Sequence, residues 1–229
     1  MFKDRQDAGE RLAGELKDLG GESTVVLALP RGGVPIAAIV AKALGAPLGL
    51  LMVRKIGAPG HSELAVAAAV HTGESVGAEA EIEDIAASLQ VVRNDELIRV
   101  LGVPESHIDA EARKAAQEIA ERQALYGDHA WSGALEGRTV ILIDDGVATG
   151  LSARAALQAV RRREPAQLIF AAPVAAPDVA SELAQIADRL VALHQPEDLG
   201  AVSLWYENFD QVGDREVVTA LAAANERSP

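Results

Sequence analysis

The stretch that decides the fold is residues 140–152, which read Val140-Ile141-Leu142-Ile143-Asp144-Asp145-Gly146-Val147-Ala148-Thr149-Gly150-Leu151-Ser152. Four consecutive apolar, mostly β-branched residues are typical of a strand that is buried on both faces. Two adjacent carboxylates follow directly, and a loop of small residues then leads into a helical pattern. The stretch therefore predicts a strand, a carboxylate pair at its carboxyl end, and a loop that opens a helix.

The residues after this strand have the chemistry of an anion site beside a diol site. Backbone N–H groups of the loop, with the hydroxyls of Thr149 and Ser152, would face a phosphate at the positive end of the helix. The carboxylates of Asp144 and Asp145 can each accept hydrogen bonds from a sugar hydroxyl, and their charge would stabilise an oxocarbenium-like transition state. A plain turn capped by Asp144, with glycines that satisfy backbone geometry, would account for the same residues.

Apolar segments alternate with helical segments along the rest of the chain. We expect strands at 25–29, 48–53, 139–143, 168–172 and 190–193, and helices at 34–44, 152–163 and 178–186. The apolar segment 64–70 is rich in alanine, which leaves helix and strand both open. Continuous apolar strands alternating with helices indicate an α/β fold with a mostly parallel sheet covered on both faces. Ligands of such sheets gather at the carboxyl ends of the strands.

The pattern changes between residues 72 and 137. An acidic run that contains Glu79, Glu81, Glu83 and Asp84 precedes an expected short strand at 89–92 and an expected charged helix at 108–126. The run imitates a metal-binding cluster, but alternating acids on a polar segment are usually just solvated. We interpret residues 72–137 as an insertion or flap, and residues 194–229 as a C-terminal hood segment, within a single domain spanning 1–229.

Composition excludes several classes of function. The 229 residues are 49% hydrophobic, which is enough for one sizeable core, and the absence of cysteine excludes disulfides, thiolate metal sites and cysteine nucleophiles. A formal net charge of -13 would repel a phosphate backbone, so we expect no nucleic-acid partner. No segment reaches the ~18 uncharged apolar residues of a membrane span, and no apolar leader follows Met1. We therefore expect a cytoplasmic protein without a membrane partner.

Two further loops follow expected strands. The glycines of Arg31-Gly32-Gly33 permit close approach to an anion, and Arg31 offers forked donors, although a tight strand-to-helix turn explains the glycines equally well. Arg54 and Lys55 end the second strand, where two cations could neutralise an anionic group. A solvated strand end would explain these two residues as well.

Residues 140–152 resemble the signature for 5-phosphoribosyl-1-pyrophosphate in type I phosphoribosyltransferases at nearly every position. They depart from it at Gly146, where the family more often has a branched aliphatic residue. The turn Arg31-Gly32-Gly33 falls where that family binds pyrophosphate. The run 53–64 and the segment Trp205-Tyr206-Glu207-Asn208-Phe209 look like an uncharacterised bacterial branch of the same family. The resemblance implies the type I phosphoribosyltransferase fold with a hood or flap, and a phosphoribosyl donor bound with Mg²⁺.

The resemblance also implies a role for each motif. Asp144 and Asp145 would hold the ribose diol and act in catalysis together with Lys55. The 5-phosphate would lie on Gly146, Val147, Ala148, Thr149, Gly150, Leu151 and Ser152. Pyrophosphate would lie on Arg31, Gly32, Gly33, Arg54 and Lys55. Mg²⁺ would be held mainly through the ligand and waters, with Asp144 and Asp145 as candidate protein ligands.

No segment identifies the acceptor, for which a nucleobase is one option. His61 is a candidate base or acceptor contact because imidazole titrates near neutrality. Trp205, Tyr206 and Phe209 could form a hood that stacks on a planar acceptor, or could pin the last segment to the core. The expected partners are the donor and this acceptor, and the dimers common among relatives make a homodimer a further expectation.

Three other functions fit parts of the sequence. The same pocket could serve a non-catalytic sensor of phosphoribosyl pyrophosphate or nucleotide. It could also serve a hydrolase acting on another phosphosugar, which would consume the donor without any acceptor. A generic nucleotide-binding α/β domain could use the aspartates to hold Mg²⁺, but that interpretation leaves the order Thr149-Gly150-Leu151-Ser152 unexplained.

We predict that Thr149→Val weakens the binding of ribose 5-phosphate, because valine keeps the shape of threonine and removes the hydroxyl donor. Calorimetric titration of both proteins measures the change. Equal affinity of the two proteins for ribose 5-phosphate would mean that the phosphate binds elsewhere.

Overall fold

A five-stranded parallel sheet forms the centre of the molecule. The structure is a computed structural model that describes residues 1–72, 82–129 and 131–226. The central strands are β1 (Thr24–Ala28), β2 (Leu48–Leu50), β6 (Thr139–Ile143), β7 (Gln167–Val174) and β8 (Arg189–His194). They lie in the order β2-β1-β6-β7-β8, and every neighbouring pair is parallel. The predicted parallel sheet is confirmed.

Register brings the ends of three strands to one edge of this sheet. Ala28 of β1 pairs with Ile143 of β6, and Ile143 pairs with Ala171 of β7. β1 and the last four residues of β6 are buried, as their apolar composition predicts. The residues that follow β1 and β6 are therefore neighbours, which places the turn after Ala28 beside Asp144.

Helices cover both faces of the sheet. One face packs on α1 (Arg5–Leu16), α2 (Gly33–Leu44) and α8 (Asp214–Asn225), and the other on α6 (Leu151–Arg161) and α7 (Pro177–Leu183). Alternation along β6 divides the core, because Ile141 and Ile143 join the first cluster while Val140 and Leu142 join the second. No helix in the described part of the chain is long and apolar enough to cross a membrane.

A second, antiparallel sheet of three strands stands beside the first. Its strands are β3 (Met52–Ala58), β4 (His61–His71) and β5 (Gln90–Arg93), in that order. α3 (Ile82–Ser88), α4 (Asp95–Leu101) and α5 (Glu105–Tyr126) complete this part of the chain. Ile56 and Val66 pack there with Ile108 of α5 in a separate small core.

The second sheet differs from the sequence prediction in where it begins. The predicted strand 48–53 is divided, because the Leu51 N–H makes the last bond to β1, at 3.0 Å to the Ala28 carbonyl, and Met52 then pairs with His71. The alanine-rich segment 64–70 is a strand, and the predicted strand at 89–92 and helix at 108–126 are present. Glu79 and Glu81 lie outside the described residues, and Glu83 and Asp84 lie in the first turn of α3.

The N-terminal residues are tied to the C-terminal segment beside the sheet edge. The Phe2 N–H donates to the Trp205 carbonyl at 2.8 Å, and the Glu207 N–H donates to the Phe2 carbonyl at 2.8 Å. Phe2 is fully buried. The Asp4 side chain caps α1 by accepting from the Asp7 N–H at 2.9 Å, so Arg5 is the first helical residue. Neither α1 nor α8 was predicted from the sequence.

Two glycines of α1 should respond oppositely to alanine. A Cβ at Gly9 would lie 2.8 Å from Ile39 Cδ1 and 3.4 Å from Ile36 Cα, whereas a Cβ at Gly14 would meet nothing within 4 Å. We expect Gly9→Ala to destabilise the protein by about 1–3 kcal/mol through overpacking. Gly14→Ala, the matched control, should stabilise it by about 0.5–1 kcal/mol. Denaturant unfolding measures both, and equal effects would contradict the close packing of α1 on α2.

Candidate functional site

A cavity of about 460 Å³ opens at the carboxyl ends of β1 and β6. Its wall includes the turn after β1, the aspartates after β6 and the start of α6. It also includes Arg5 from α1, Leu51 and Val53 from the beginning of the second sheet, and Phe209 from the C-terminal segment. The cavity lies where ligands of parallel sheets are expected.

One oxygen of each aspartate carboxylate is held by N–H groups of the protein. One oxygen of Asp144 accepts from the Asp145 N–H at 2.9 Å. One oxygen of Asp145 accepts from Arg5 Nε at 3.0 Å and from an Arg5 terminal nitrogen at 2.7 Å. Within the described residues, no backbone N–H, hydroxyl or basic side chain bonds to the second oxygen of either aspartate, and the two carboxyl groups lie within hydrogen-bonding distance of each other. The pair therefore places two carboxyl groups close together in the cavity wall.

The surroundings of Asp144 raise its pKa. Burial raises the pKa of Asp144, and the neighbouring charge of Asp145 raises it further. The N–H of Asp145 and the more distant charge of Arg5 oppose this rise in the pKa without cancelling it. Asp145 is the aspartate that forms the direct ion pair with Arg5.

The turn after β1 packs directly on this pair. A Cβ at Gly32 would lie 2.0 Å from an Asp145 carboxylate oxygen, and one at Gly33 would lie 2.7 Å from the Ile143 carbonyl oxygen. The Leu29 N–H also donates to that carbonyl at 2.9 Å, and the Pro30–Arg31 peptide bond is cis. Only glycine fits at positions 32 and 33 while the two strand ends remain in contact.

Arg31 is paired with the C-terminal helix. Its guanidinium lies 3.4 Å from an oxygen of Asp214, and the same oxygen accepts a hydrogen bond from the Tyr126 hydroxyl. The Tyr126 hydrogen bond and Arg31 lower the pKa of Asp214. Burial, followed by the bond to Asp214, raises the pKa of Tyr126 to about 12. Asp214 is thus a carboxylate held against the cation of the turn.

The loop between β6 and α6 divides into structural and open parts. Val147 is buried, and its N–H donates to the Val174 carbonyl at 2.9 Å, so that N–H is not free for a phosphate. The N–H groups of Gly146, Ala148, Thr149 and Gly150 donate to no acceptor within the described residues. Gly150, with φ of 69°, turns the chain into α6. Thr149 is exposed, and Ser152 lies in the cavity wall.

Close packing explains why the loop has glycine at position 146. A Cβ at Gly146 would lie 2.4 Å from Val202 Cγ1 and 3.1 Å from Val174 Cγ1. Val202, from the C-terminal segment, therefore fills the space where the family more often places a branched residue at position 146. The departure from the signature is compensated by a residue that is distant in sequence.

The two cations of β3 do not lie on the same side. Side chains alternate along a strand, so Lys55 shares a face with Val53 of the cavity wall and Arg54 has the opposite face. Arg54 pairs with Glu118 of α5 at 2.7 Å and lies outside the cavity wall. The two cations that the sequence analysis assigned to one pyrophosphate therefore lie on opposite faces of β3. Lys55 is exposed beyond Val53 and is not itself part of the wall.

The remaining predicted residues are spread between the hairpin and the C-terminal segment. His61 is exposed at the start of β4, outside the cavity wall. Trp205 donates from its indole to the Leu199 carbonyl at 3.1 Å, and the Tyr206 hydroxyl donates to the Asp145 carbonyl at 2.6 Å. These two rings therefore pin the segment, while Phe209 lines the cavity. The structure brings neither His61 nor Trp205 to the cavity.

Arg5 is a cavity residue that the sequence did not identify. It precedes the first expected strand by about twenty positions and belongs to no recognised motif. An aspartate cap followed by a helical pattern could have predicted α1, but no local signal predicts that its first residue reaches Asp145. Only the pairing of the two ends of the chain brings it there.

Comparison with known proteins identifies the family. The model of the phosphoribosyl transferase domain matches residues 88–211, which is more than half of the chain. The chain belongs to the phosphoribosyl transferase family. Together with the parallel sheet and its flanking helices, this assigns the type I phosphoribosyltransferase fold.

Two similar proteins cover nearly the whole chain. A protein of Mycobacterium tuberculosis named "Putative phosphoribosyl transferase" is 38% identical over 225 residues, which are 98% of this chain and 47% of that protein. The chain thus spans about half the length of the curated relatives it matches. The crystal structure of TT1426 from Thermus thermophilus is 37% identical, with a TM-score of 0.78 over 96% of this chain and 97% of that one.

The raised pKa of Asp144 predicts a dependence of stability on pH. The folded protein binds this proton more tightly than the unfolded chain, so stability falls as the pH rises above the ordinary aspartate pKa of about 3.9. Asparagine cannot ionise and can still accept from the Asp145 N–H. We therefore expect Asp144→Asn to gain stability relative to the original protein between about pH 5 and pH 8.

Thermal unfolding across this pH range measures the difference. Asp198→Asn, at an exposed loop position, is the control and should follow the original protein. Parallel curves for Asp144→Asn and the original protein would mean that Asp144 ionises in the folded state as it does in the unfolded one.

Proposed function

We propose that this chain transfers a phosphoribosyl group from 5-phosphoribosyl-1-pyrophosphate to an acceptor, with Mg²⁺ as cofactor. One observation carries the proposal: Asp144 and Asp145 line the cavity together, and each has one carboxylate oxygen held by an N–H group while no basic side chain of the described residues bonds to the other oxygen. Two such oxygens side by side match the two hydroxyls of a vicinal diol. Membership of the family supports ribose as the sugar that carries this diol.

The loop after Asp145 is the proposed site of the 5-phosphate. The open N–H groups of Gly146, Ala148, Thr149 and Gly150 lie just before α6, where the helix dipole favours an anion. Ser152 adds a hydroxyl in the cavity wall. Val147 contributes by fixing the loop to β7 rather than by binding the phosphate.

The turn after β1 is the proposed site of pyrophosphate. Gly32 and Gly33 bring its backbone against the aspartate pair, and α2 begins at Gly33, so its positive end lies at the same place. On binding, the Arg31 guanidinium would leave its ion pair with Asp214 and bond to the pyrophosphate instead. Lys55 lies on the face of β3 that Val53 presents to the cavity and could approach if the hairpin moved.

Transfer at the anomeric carbon needs little covalent chemistry from the protein. The bond from C1 to the pyrophosphate oxygen breaks, a bond from C1 to the acceptor forms, and the proton of the acceptor passes to solvent. The carboxylate of Asp145 stabilises positive charge on the sugar, Asp144 adds its charge when it ionises, and Arg31 stabilises the departing anion. Residues 72–137 remain the proposed flap, which would limit hydrolysis by excluding water.

The residues present fit a Mg²⁺ ion that is held largely by the donor. The described residues contain no cluster of three metal-binding side chains. Mg²⁺ usually keeps several waters and takes one or two carboxylates together with phosphate oxygens, which the aspartate pair and the donor could supply. Bound in this way, the ion would neutralise charge on the leaving pyrophosphate.

The acceptor stays open in this proposal. Phe209 is the aromatic residue of the predicted hood that lines the cavity, and the Arg5 guanidinium lies 3.9 Å from its ring centroid. One face of that ring is therefore already covered by a cation. A homodimer stays a prediction from the family resemblance, and a cytoplasmic location stays a prediction from composition.

Calorimetric titration with phosphoribosyl pyrophosphate, with and without Mg²⁺, tests the proposal. We expect binding that requires Mg²⁺, and we expect Gly32→Ala to weaken it by about tenfold or more because the new methyl group displaces the Asp145 carboxylate. Gly21→Ala is the matched control, since a Cβ there meets nothing within 4 Å.

Three results would contradict the proposal. They are the absence of binding with Mg²⁺, full affinity in a folded Gly32→Ala, and consumption of the donor without any acceptor, which would identify a hydrolase. If Gly32→Ala does not fold, Asp144→Asn replaces it in the titration, and the same loss of affinity is expected.

A further inference from the structure

The Arg5 side chain contacts three different residues beside the cavity. Nε and one terminal nitrogen both donate to the same oxygen of Asp145, at 3.0 and 2.7 Å. The other terminal nitrogen donates to the Asp210 carbonyl at 2.8 Å. The guanidinium stacks on Phe209 at 3.9 Å from the ring centroid, and the side chain is 12% exposed. Three independent contacts thus fix its position.

These contacts also fix Asp145. Its carboxylate is held on one oxygen by Arg5, its carbonyl accepts from the Tyr206 hydroxyl at 2.6 Å, and Gly32 packs against its side chain. Burial raises the pKa of Tyr206, so the hydroxyl remains a donor at neutral pH. Phe2 pairs with Tyr206 across the termini, which places Arg5 and Tyr206 on the same N-terminal and C-terminal junction.

Arg5 is the described basic side chain that bonds to the aspartate pair. Arg31, the other cation of the cavity wall, is paired with Asp214 instead. Without Arg5, the carboxylate of Asp145 could rotate and present either oxygen, or neither, to a ligand. With Arg5 in place, one oxygen is occupied, and no basic side chain of the described residues bonds to the second.

We infer that Arg5 is a positioning residue of the donor site. It holds the Asp145 carboxylate in the rotamer that presents its open oxygen to a ribose hydroxyl, so the N-terminal segment forms part of the sugar site. The inference rests on the proposed function and adds a residue that acts through Asp145 rather than on the ligand. Three of the five N–H groups of Arg5 are used in these contacts. A direct phosphate ligand would be expected to have its forked donors free.

A double-mutant cycle on ribose 5-phosphate affinity tests this inference. The variants are Arg5→Gln, Asp145→Asn and the double variant, each titrated by calorimetry with ribose 5-phosphate in the presence of Mg²⁺. Arg5→Gln should weaken ribose 5-phosphate binding about tenfold, and the double variant should bind no worse than Asp145→Asn alone. Arg5→Lys should recover part of the loss, because lysine keeps the charge but not the fork.

Two controls separate positioning from other roles. Inorganic pyrophosphate with Mg²⁺ should bind Arg5→Gln within about twofold of the original protein, since Arg5 does not act on that group. Arg11→Gln removes an exposed ion pair with Asp7 from the same helix and should leave both affinities unchanged. Thermal unfolding of each variant shows whether the substitution destabilises the junction of the N-terminal and C-terminal segments.

Each contrary result overturns a specific statement. Additive effects of Arg5→Gln and Asp145→Asn, or a fall in pyrophosphate affinity, would make Arg5 a direct ligand. Tighter ribose 5-phosphate binding by Arg5→Gln would make it a competitor of the sugar. If Arg5→Gln does not fold, the cycle is run with Arg5→Lys, and unchanged affinity there overturns the inference. Failure of the original protein to bind either phosphoribosyl pyrophosphate or ribose 5-phosphate would instead overturn the proposed function itself.

Discussion

The contact between the ends of β1 and β6 is the constraint on which the rest of the site depends. The strands are parallel neighbours in register, so the turn at residues 30–33 and the pair Asp144 and Asp145 leave the sheet at the same height. Gly32 and Gly33 let the turn approach to a distance that any side chain would prevent. Because both α2 and α6 begin at this edge, two helix dipoles and two carboxylates lie beside one cavity.

Charges at this edge are balanced in pairs rather than by a single basic patch. Arg5 bonds to Asp145, and Arg31 bonds to Asp214, which in turn accepts from Tyr126. A protein with a formal net charge of -13 therefore keeps two arginines at the site that is proposed for an anionic ligand. Each arginine comes from a different part of the chain than its partner, so the ion pairs also join the terminal segments to the central sheet.

Features set by neighbouring residues were predicted from the sequence, whereas features set by contacts between distant residues were not. The alternating strands and helices were predicted because burial on a parallel sheet leaves a local apolar pattern. Arg54 and Lys55 were grouped because they are adjacent in sequence, but side chains alternate along β3, and Arg54 pairs with Glu118 of α5. The pinning role of Trp205 and Tyr206, left open beside a hood, became distinguishable only through their bonds to Leu199 and Asp145.

The sequence by itself determined the α/β class, the carboxylate pair at a strand end and the loop that opens α6, because each is encoded by consecutive residues. The tertiary structure decided which groups are free to act. It committed the Val147 N–H to β7, filled the space above Gly146 with Val202, and brought Arg5 to Asp145. Each of these contacts joins residues that are tens to more than a hundred positions apart in sequence. A local sequence pattern cannot predict such contacts.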